Sequence, residues 1–331
     1  MLSLHNVQVR AARGGEQHKS TEERHKTMRH FVHAALATTL LGGLAAGMAP
    51  ARADQLATVA SFNGNNGLAP NAGLLDVNGT LYGTTYNGGS GGNGTVFSLN
   101  PTTGALSTLA SFTGSNGAAP FAGLISVGGT LYGTTAAGGS GGYGTVFSLN
   151  PTTGALSTLA SFTGSNGAYP QAGLISVGGT LYGTTYDGGS ARDGTVFSLN
   201  PTTGALSTLA SFTGSNGDGP YAGLISVGGT LYGTTESGGS AGDGTVFSLN
   251  PTTGALSTLA SFTGSNGSFP FAGLLDVNGT LYGTTEGGGS GNNGTVFSYG
   301  TNASVPEPAS LALLGAGVVG LFGVTRRRAR G

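Results

Sequence analysis

GTVFSLNPTTGALSTLASFTGSNG spans residues 94–117 and returns unchanged at 144–167, 194–217 and 244–267. The spacing is 50 residues, a period that marks a stack of supersecondary units. Outside these copies the unit is split. LATVASFNGNNG at 56–67 is its back half, and GTVFSYG at 294–300 is its front half.

Each period holds four strand-like runs. AGLISV (122–127) and TLYGTT (130–135) are joined by Gly128-Gly129. Gly-Gly and Asn-Gly pairs accept positive φ and favour the primed turns of two-residue hairpins. Asn78-Gly79 and Asn278-Gly279 take that place in the first and fifth periods. A Gly-rich loop, AAGGSGGYG (136–144), then leads to TVFSLN (145–150), a Pro-Thr-Thr-Gly turn and ALSTLASF (155–162). Pro and Gly fall largely in the connections, as strands require.

Four antiparallel strands per repeat, with hairpin links and no helix, form the pattern of a β-propeller blade. A β-solenoid is the rival architecture. The expectation is an all-β, five-bladed β-propeller over residues 54–304. The split unit suggests how it closes: strand 56–62 pairs with strand 294–298, completes the fifth blade and removes an open edge. Leu56, Val59 and Phe62 are the apolar contacts of that closing strand. Tyr82, Tyr132, Tyr182, Tyr232 and Tyr282, with Phe97, Phe147, Phe197, Phe247 and Phe297, recur once per period. They read as packing between blades rather than a stacking platform for sugars.

Composition narrows function. Charged residues are 8%, against about 25% in an average globular chain. The chain lacks Cys, so disulfides and zinc–thiolate sites are excluded. Residues 54–304 hold one base, Arg192, and nine acids. That balance excludes nucleic acid as a partner. The same region lacks His, Cys and Lys, which removes Ser–His and Cys–His nucleophiles and imidazole metal ligands. Two carboxylates alone can hydrolyse a glycoside, so a carboxylate-dependent glycoside hydrolase is the enzymatic alternative. Asp187-x-x-Ser190-x-x-Asp193 offers hard oxygens to Ca²⁺, but stands alone and reads as a polar turn. Neither a cofactor nor a metal is expected, and the chain reads as a non-enzyme.

Both ends read as addresses. MRHFVHAALATTLLGGLAAGMAPARA (28–53) has a basic start, an apolar run and a small-x-small site. That is the layout of a secretory signal peptide cut after Ala53, with Met1 or Met28 as the start. Residues 305–331 begin VPEP, continue with an apolar run over 309–324 and end in Arg326, Arg327, Arg328 and Arg330. Sixteen helical residues span about 24 Å, short of a ~30 Å hydrocarbon core. Membrane contact is thus expected only through the terminal segments.

Pro306-Glu307-Pro308, an apolar helix and a terminal Arg cluster together resemble the PEP-CTERM sorting signal. The resemblance implies a Gram-negative bacterium, transient membrane anchoring, processing by an exosortase-type enzyme, and residence at the cell surface or outside the cell. Such signals commonly accompany exopolysaccharide, which becomes a possible partner in a biofilm matrix. The repeat pattern SFxGxxGxxPxAGL…GxLYGTTxxGG…GTVFSL over 61–298 resembles the GloVer (Gloeo_Verruco) tandem repeats, a family that implies location rather than chemistry.

The copies differ in two places. One is the leading loop of each repeat: LAPN, AAPF, AYPQ, DGPY and SFPF at 68–71, 118–121, 168–171, 218–221 and 268–271. The other is the Gly-rich loop: YNGGSGGN, AAGGSGGY, YDGGSARD, ESGGSAGD and EGGGSGNN at 86–93, 136–143, 186–193, 236–243 and 286–293. In an antiparallel blade both loops emerge on one face. Loops on a rigid scaffold are where binding usually sits, while drift at exposed loops gives a similar pattern. The candidate binding face comprises Tyr86, Tyr143, Tyr186, Asp187, Asp193, Tyr221, Glu236, Asp243, Phe271 and Glu286. A binding or structural module of the cell surface is the expectation, and a passive spacer is the second alternative.

Overall fold

The computed structural model describes residues 56–301. The signal-peptide cut at Ala53 and the sorting tail from Val305 lie outside the described residues. Among the described residues nineteen strands follow one another. β1 (Leu75–Val77), β2 (Thr80–Thr85), β3 (Thr95–Leu99) and β4 (Leu106–Ser111) form the first sheet, in that order. The second sheet is β5 (Ile125–Val127), β6 (Thr130–Thr135), β7 (Thr145–Leu149) and β8 (Leu156–Ser161). The third is β9 (Ile175–Val177), β10 (Thr180–Thr185), β11 (Thr195–Leu199) and β12 (Leu206–Ser211). The fourth is β13 (Ile225–Val227), β14 (Thr230–Thr235), β15 (Thr245–Leu249) and β16 (Leu256–Ser261). The fifth has three strands: β17 (Leu275–Val277), β18 (Thr280–Thr285) and β19 (Thr295–Gly300). Every pairing is antiparallel between chain neighbours, so each sheet is an up-and-down blade.

The turns form as their residues dictate. Asn78 and Gly79 sit at φ 54° and 81°, and Gly128 and Gly129 at 58° and 80°, the positive values of a primed hairpin turn. At the outer turn the Asn100 side chain accepts hydrogen bonds from the Thr102 and Thr103 amides at 2.9 and 3.1 Å, an Asx turn before Gly104. The β3–β4 ladder shifts register between Val96 and Phe97, which leaves Leu109 of β4 as the extra residue of a bulge. The glycine of each TLYGTT run has a packing cause. A Cβ on Gly83 would lie 2.5 Å from the Phe97 ring, so only glycine lets that ring cross the strand. Beside it the Thr85 and Thr95 hydroxyls share a hydrogen bond of 2.8 Å, and the Thr95 amide donates to Thr85 Oγ1 at 3.1 Å. The buried polar pair is thereby satisfied.

The core lies between blades. Val96 and Phe112 of the first repeat pack with Leu124, Leu131, Phe147 and Leu149 of the second. Tyr82 packs at the edge of that cluster, and Tyr132, Tyr182 and Tyr232 do the same at the next three seams. The tyrosines are packing residues there. Phe112 meets Phe147 edge-on at 5.1 Å between ring centroids, and the next three seams repeat the contact at 5.1, 5.0 and 4.9 Å. A hydrogen bond crosses each seam. Thr84, Thr134 and Thr184 donate to the Ala122, Ala172 and Ala222 carbonyls at 3.2–3.4 Å, and Thr234 donates to the Pro270 carbonyl at 3.4 Å.

The closing ladder expected between 56–62 and 294–298 is not formed. β19 pairs with β18 alone among the described residues, and Val296 is 78% exposed. Residues 57–62 instead lie against the first sheet. Phe62 packs edge-on against Phe97 at 5.0 Å, the contact that Phe112 makes with Phe147. Of the three expected apolar contacts, Phe62 is made, Val59 is half exposed and Leu56 is fully exposed. The reason is the missing neighbour. Apolar residues in 56–62 fit a blade, but no fifth-sheet edge stands beside them.

Candidate functional site

The two variable loops of each repeat are tied together by backbone. Leu68, Ala118, Ala168, Asp218 and Ser268 donate their amides to the carbonyls of Asn87, Ala137, Asp187, Ser237 and Gly287 at 2.7–2.9 Å. The loops are also tied across seams. Ala119, Tyr169, Gly219 and Phe269 donate to the carbonyls of Asn93, Tyr143, Asp193 and Asp243 at 2.9–3.0 Å. Variation thus concerns side chains displayed from a uniform frame, on one face.

Those side chains gather in two places. The first is an aromatic chain near the inner strands. Tyr86 meets Phe121 at 6.2 Å, Phe121 meets Tyr221 at 5.9 Å, and Tyr221 meets Tyr186 at 6.2 Å and Phe271 at 5.5 Å. Phe121 and Tyr221 belong to the second and fourth repeats, so their contact spans the third repeat and shows how tightly the blades curve. The phenols of Tyr186 and Tyr221 are shifted up, first by burial and then by the Glu236 carboxylate. Burial also pushes the Asp218 carboxyl up, helped by Asp193 and Asp187 nearby. Like charges crowded into a half-buried site favour the protonated acid.

The second place is a groove of about 470 Å³ between the second and third repeats. It is lined by Tyr143, Tyr169, Asp187 and Arg192, with the 163–165 turn and the Gly188-Gly189 backbone completing it. Tyr143 and Tyr169 meet edge-on at 5.9 Å. The Tyr143 ring covers Gly164, over which a Cβ would meet it at 3.6 Å. Tyr169 has φ 55°, a left-handed backbone rare for a bulky residue. The matching residues Ala69, Ala119, Gly219 and Phe269 share it at φ 54–62°, so the turn belongs to the common frame of the repeats.

Of the candidate face, the structure brings Tyr86, Tyr186, Tyr221, Phe271 and Glu236 into the aromatic chain, and Tyr143 and Asp187 into the groove. Asp193 stands over Gly214, beside Asp218. Asp243 stands over Gly264 in the same manner, and Glu286 is exposed on the fifth repeat; neither joins a cluster. Phe121, Tyr169 and Arg192 were outside the sequence-based set. The signal for all three was present: Phe121 and Tyr169 lie in variable loops, and Arg192 is the one base of its region. Among the described residues no group of three or more acids or imidazoles could hold a metal. No helix among them is long and apolar enough to cross a membrane.

Comparison with known proteins bears on the chain at three levels. The Gloeobacter/Verrucomicrobia repeat matches residues 42–192 and 128–310, and the PEP-CTERM protein-sorting motif matches residues 304–328. No curated protein matches the chain. Solved structures resemble it at low identity. A chain of a nidogen/laminin complex is 15% identical, with a TM-score of 0.43, covering 63% of this chain and 68% of its own. TolB from Acinetobacter baumannii is 16% identical, with a TM-score of 0.41, covering 67% and 49%. A candidate 6-phosphogluconolactonase from Bacteroides uniformis is 18% identical, with a TM-score of 0.47, covering 71% and 68%.

Proposed function

Because the chain belongs to the Gloeobacter/Verrucomicrobia repeat family and carries a PEP-CTERM protein-sorting motif, we propose that it is an exported cell-surface module that binds polysaccharide and is not an enzyme. The sorting motif implies processing by an exosortase-type enzyme. Export through a signal peptide cut after Ala53 and residence in an exopolysaccharide matrix belong to the same reading.

The observation that carries it is the groove. Sugars are bound by aromatic faces together with a few polar side chains, and Tyr143, Tyr169, Asp187 and Arg192 supply both. Tyrosine offers contact area at low entropic cost.

Binding of cell-surface polysaccharide to the purified chain tests this. Tyr143→Ala and Arg192→Ala should each weaken retention about tenfold or more while leaving the thermal midpoint in place. Unchanged retention in both would leave the groove without a ligand and the spacer reading standing.

A further inference from the structure

The four seams inside the chain are nearly identical, and each is made of two half-surfaces. The outgoing half of the fourth repeat offers Ile225, Val227, Tyr232 and Val246. The incoming half of the second repeat offers Leu124, Leu131, Phe147 and Leu149. The array therefore has one outgoing half left over, on the fifth sheet, and one incoming half left over, on the first.

Both leftover halves are visible as exposed apolar surface. On the fifth sheet Leu275 is 64% exposed, and Val277, Tyr282 and Val296 are exposed as well. Their counterparts Leu75, Val77, Tyr82 and Val96 are partly or fully buried at the first seam. On the first sheet Leu74 is exposed, whereas Leu124, Leu174, Leu224 and Leu274 are buried. Thr284 is exposed too, although each of its four counterparts donates across a seam.

Residues 57–62 make the incoming half more than a bare patch. The Val59 carbonyl lies 2.7 Å from a Cβ built on Gly104, as the Leu109 carbonyl lies 2.8 Å from one on Gly154. Phe62 on Phe97 repeats the ring contact of every seam. This segment already occupies the place of a preceding blade's outer strand. What is absent is the rest of that blade, and the fifth sheet is a blade lacking its outer strand.

We propose that the fifth sheet of one molecule docks on the first sheet of a second copy, with residues 57–62 of that copy pairing along β19. The occupant is argued from continuity with the built seams. The surfaces carry the same residues in the same register, and the chain makes this interface four times over. Within one molecule the two halves are not joined. A Cβ on Gly123, Gly173, Gly223 or Gly273 would lie 3.5–4.0 Å from the preceding repeat's glycine carbonyl, while one on Gly73 meets nothing within 4 Å. Docking by the step that relates successive repeats is heterologous, head to tail. It covers the exposed edge of β19, which a sheet does not leave open without cost.

Paired cysteines in the Cys-free chain test this. Val96 is the ladder partner of Ala110, so Val296 should face Ala60 across the new seam, at a spacing a disulfide can bridge. Ala60→Cys and Val296→Cys are made as two separate full-length proteins, mixed and mildly oxidised. A disulfide-linked dimer several times more abundant in the mixture than in either protein alone, rising with concentration, is the expected result. Each variant should keep the parent thermal midpoint. A mixture that forms no such dimer overturns the proposal. If the double variant then cross-links within one chain, ring closure is the true use of these surfaces. If it does not, they do not pair at all.

Discussion

The fourth and fifth repeats carry the same Gly-Thr-Val-Phe-Ser at 244–248 and 294–298, yet they differ in burial. Val246 is 1% exposed and Val296 is 78% exposed. Thr234 bonds across a seam at 3.4 Å, and Thr284 is exposed. Residue type and strand register are shared. The neighbour is not. Stability in this chain therefore belongs to pairs of repeats rather than to repeats, as nearest-neighbour descriptions of repeat arrays hold.

The sharpest way to break that comparison is at the phenylalanines. Phe197→Ala removes a ring fully buried at the seam between the second and third repeats, and should cost about 3–5 kcal/mol in denaturant unfolding. Phe297→Ala, half-buried on the terminal sheet, should cost clearly less. Equal losses would mean that the end is as well covered as the middle. Deleting 56–62 should come next. It uncovers Phe97 of the first sheet and should lose about 1.5–3 kcal/mol. Protection from hydrogen exchange should fall in the first repeat and stay unchanged in the fifth.

Smaller effects separate the display face from the frame. Tyr169→Gly places glycine where the fourth repeat already has it, so stability should hold or rise by up to ~1 kcal/mol, while retention on polysaccharide falls. A stability loss with retention unchanged would make Tyr169 a structural residue. Asp218→Asn should act weakly and only above the ordinary carboxylate range. The folded chain holds the Asp218 proton more tightly than the unfolded chain does. Stability therefore falls as pH rises from the unfolded carboxyl pKa through the raised one, then levels off. The Asn variant should be the more stable at neutral pH and lose that advantage in acid. A melting series across pH reads this out.

Much of the frame was legible in the sequence because its causes are local. Asn78-Gly79 and Gly128-Gly129 need positive φ and take it. The 50-residue period sets one sheet, and the tyrosines of the first four TLYGTT runs pack at seams as expected, while Tyr282 of the fifth is exposed. That the two variable loops of a repeat lie side by side followed from the antiparallel strand order. The end was not legible. Val59 and Phe62 have the pattern of an outer strand whether or not a partner edge is present, so pattern alone could not say that the outer edge of β19 stays open. Tyr169 and Arg192 were missed for a related reason. The groove forms between loops of neighbouring repeats, where the Tyr169 amide reaches the Tyr143 carbonyl at 2.9 Å. Variation marked each residue, but only the seam joins them.

The open ends are tested most directly by one matched pair, Val246→Ala and Val296→Ala, unfolded at a concentration where the chain is monomeric. The first should lose on the order of 1–2 kcal/mol, as expected for methyl groups removed from a packed core. The second should stay within about 0.5 kcal/mol of the parent, as surface changes do. Matching losses at both positions would show Val296 covered within its own molecule, and would contradict the open array.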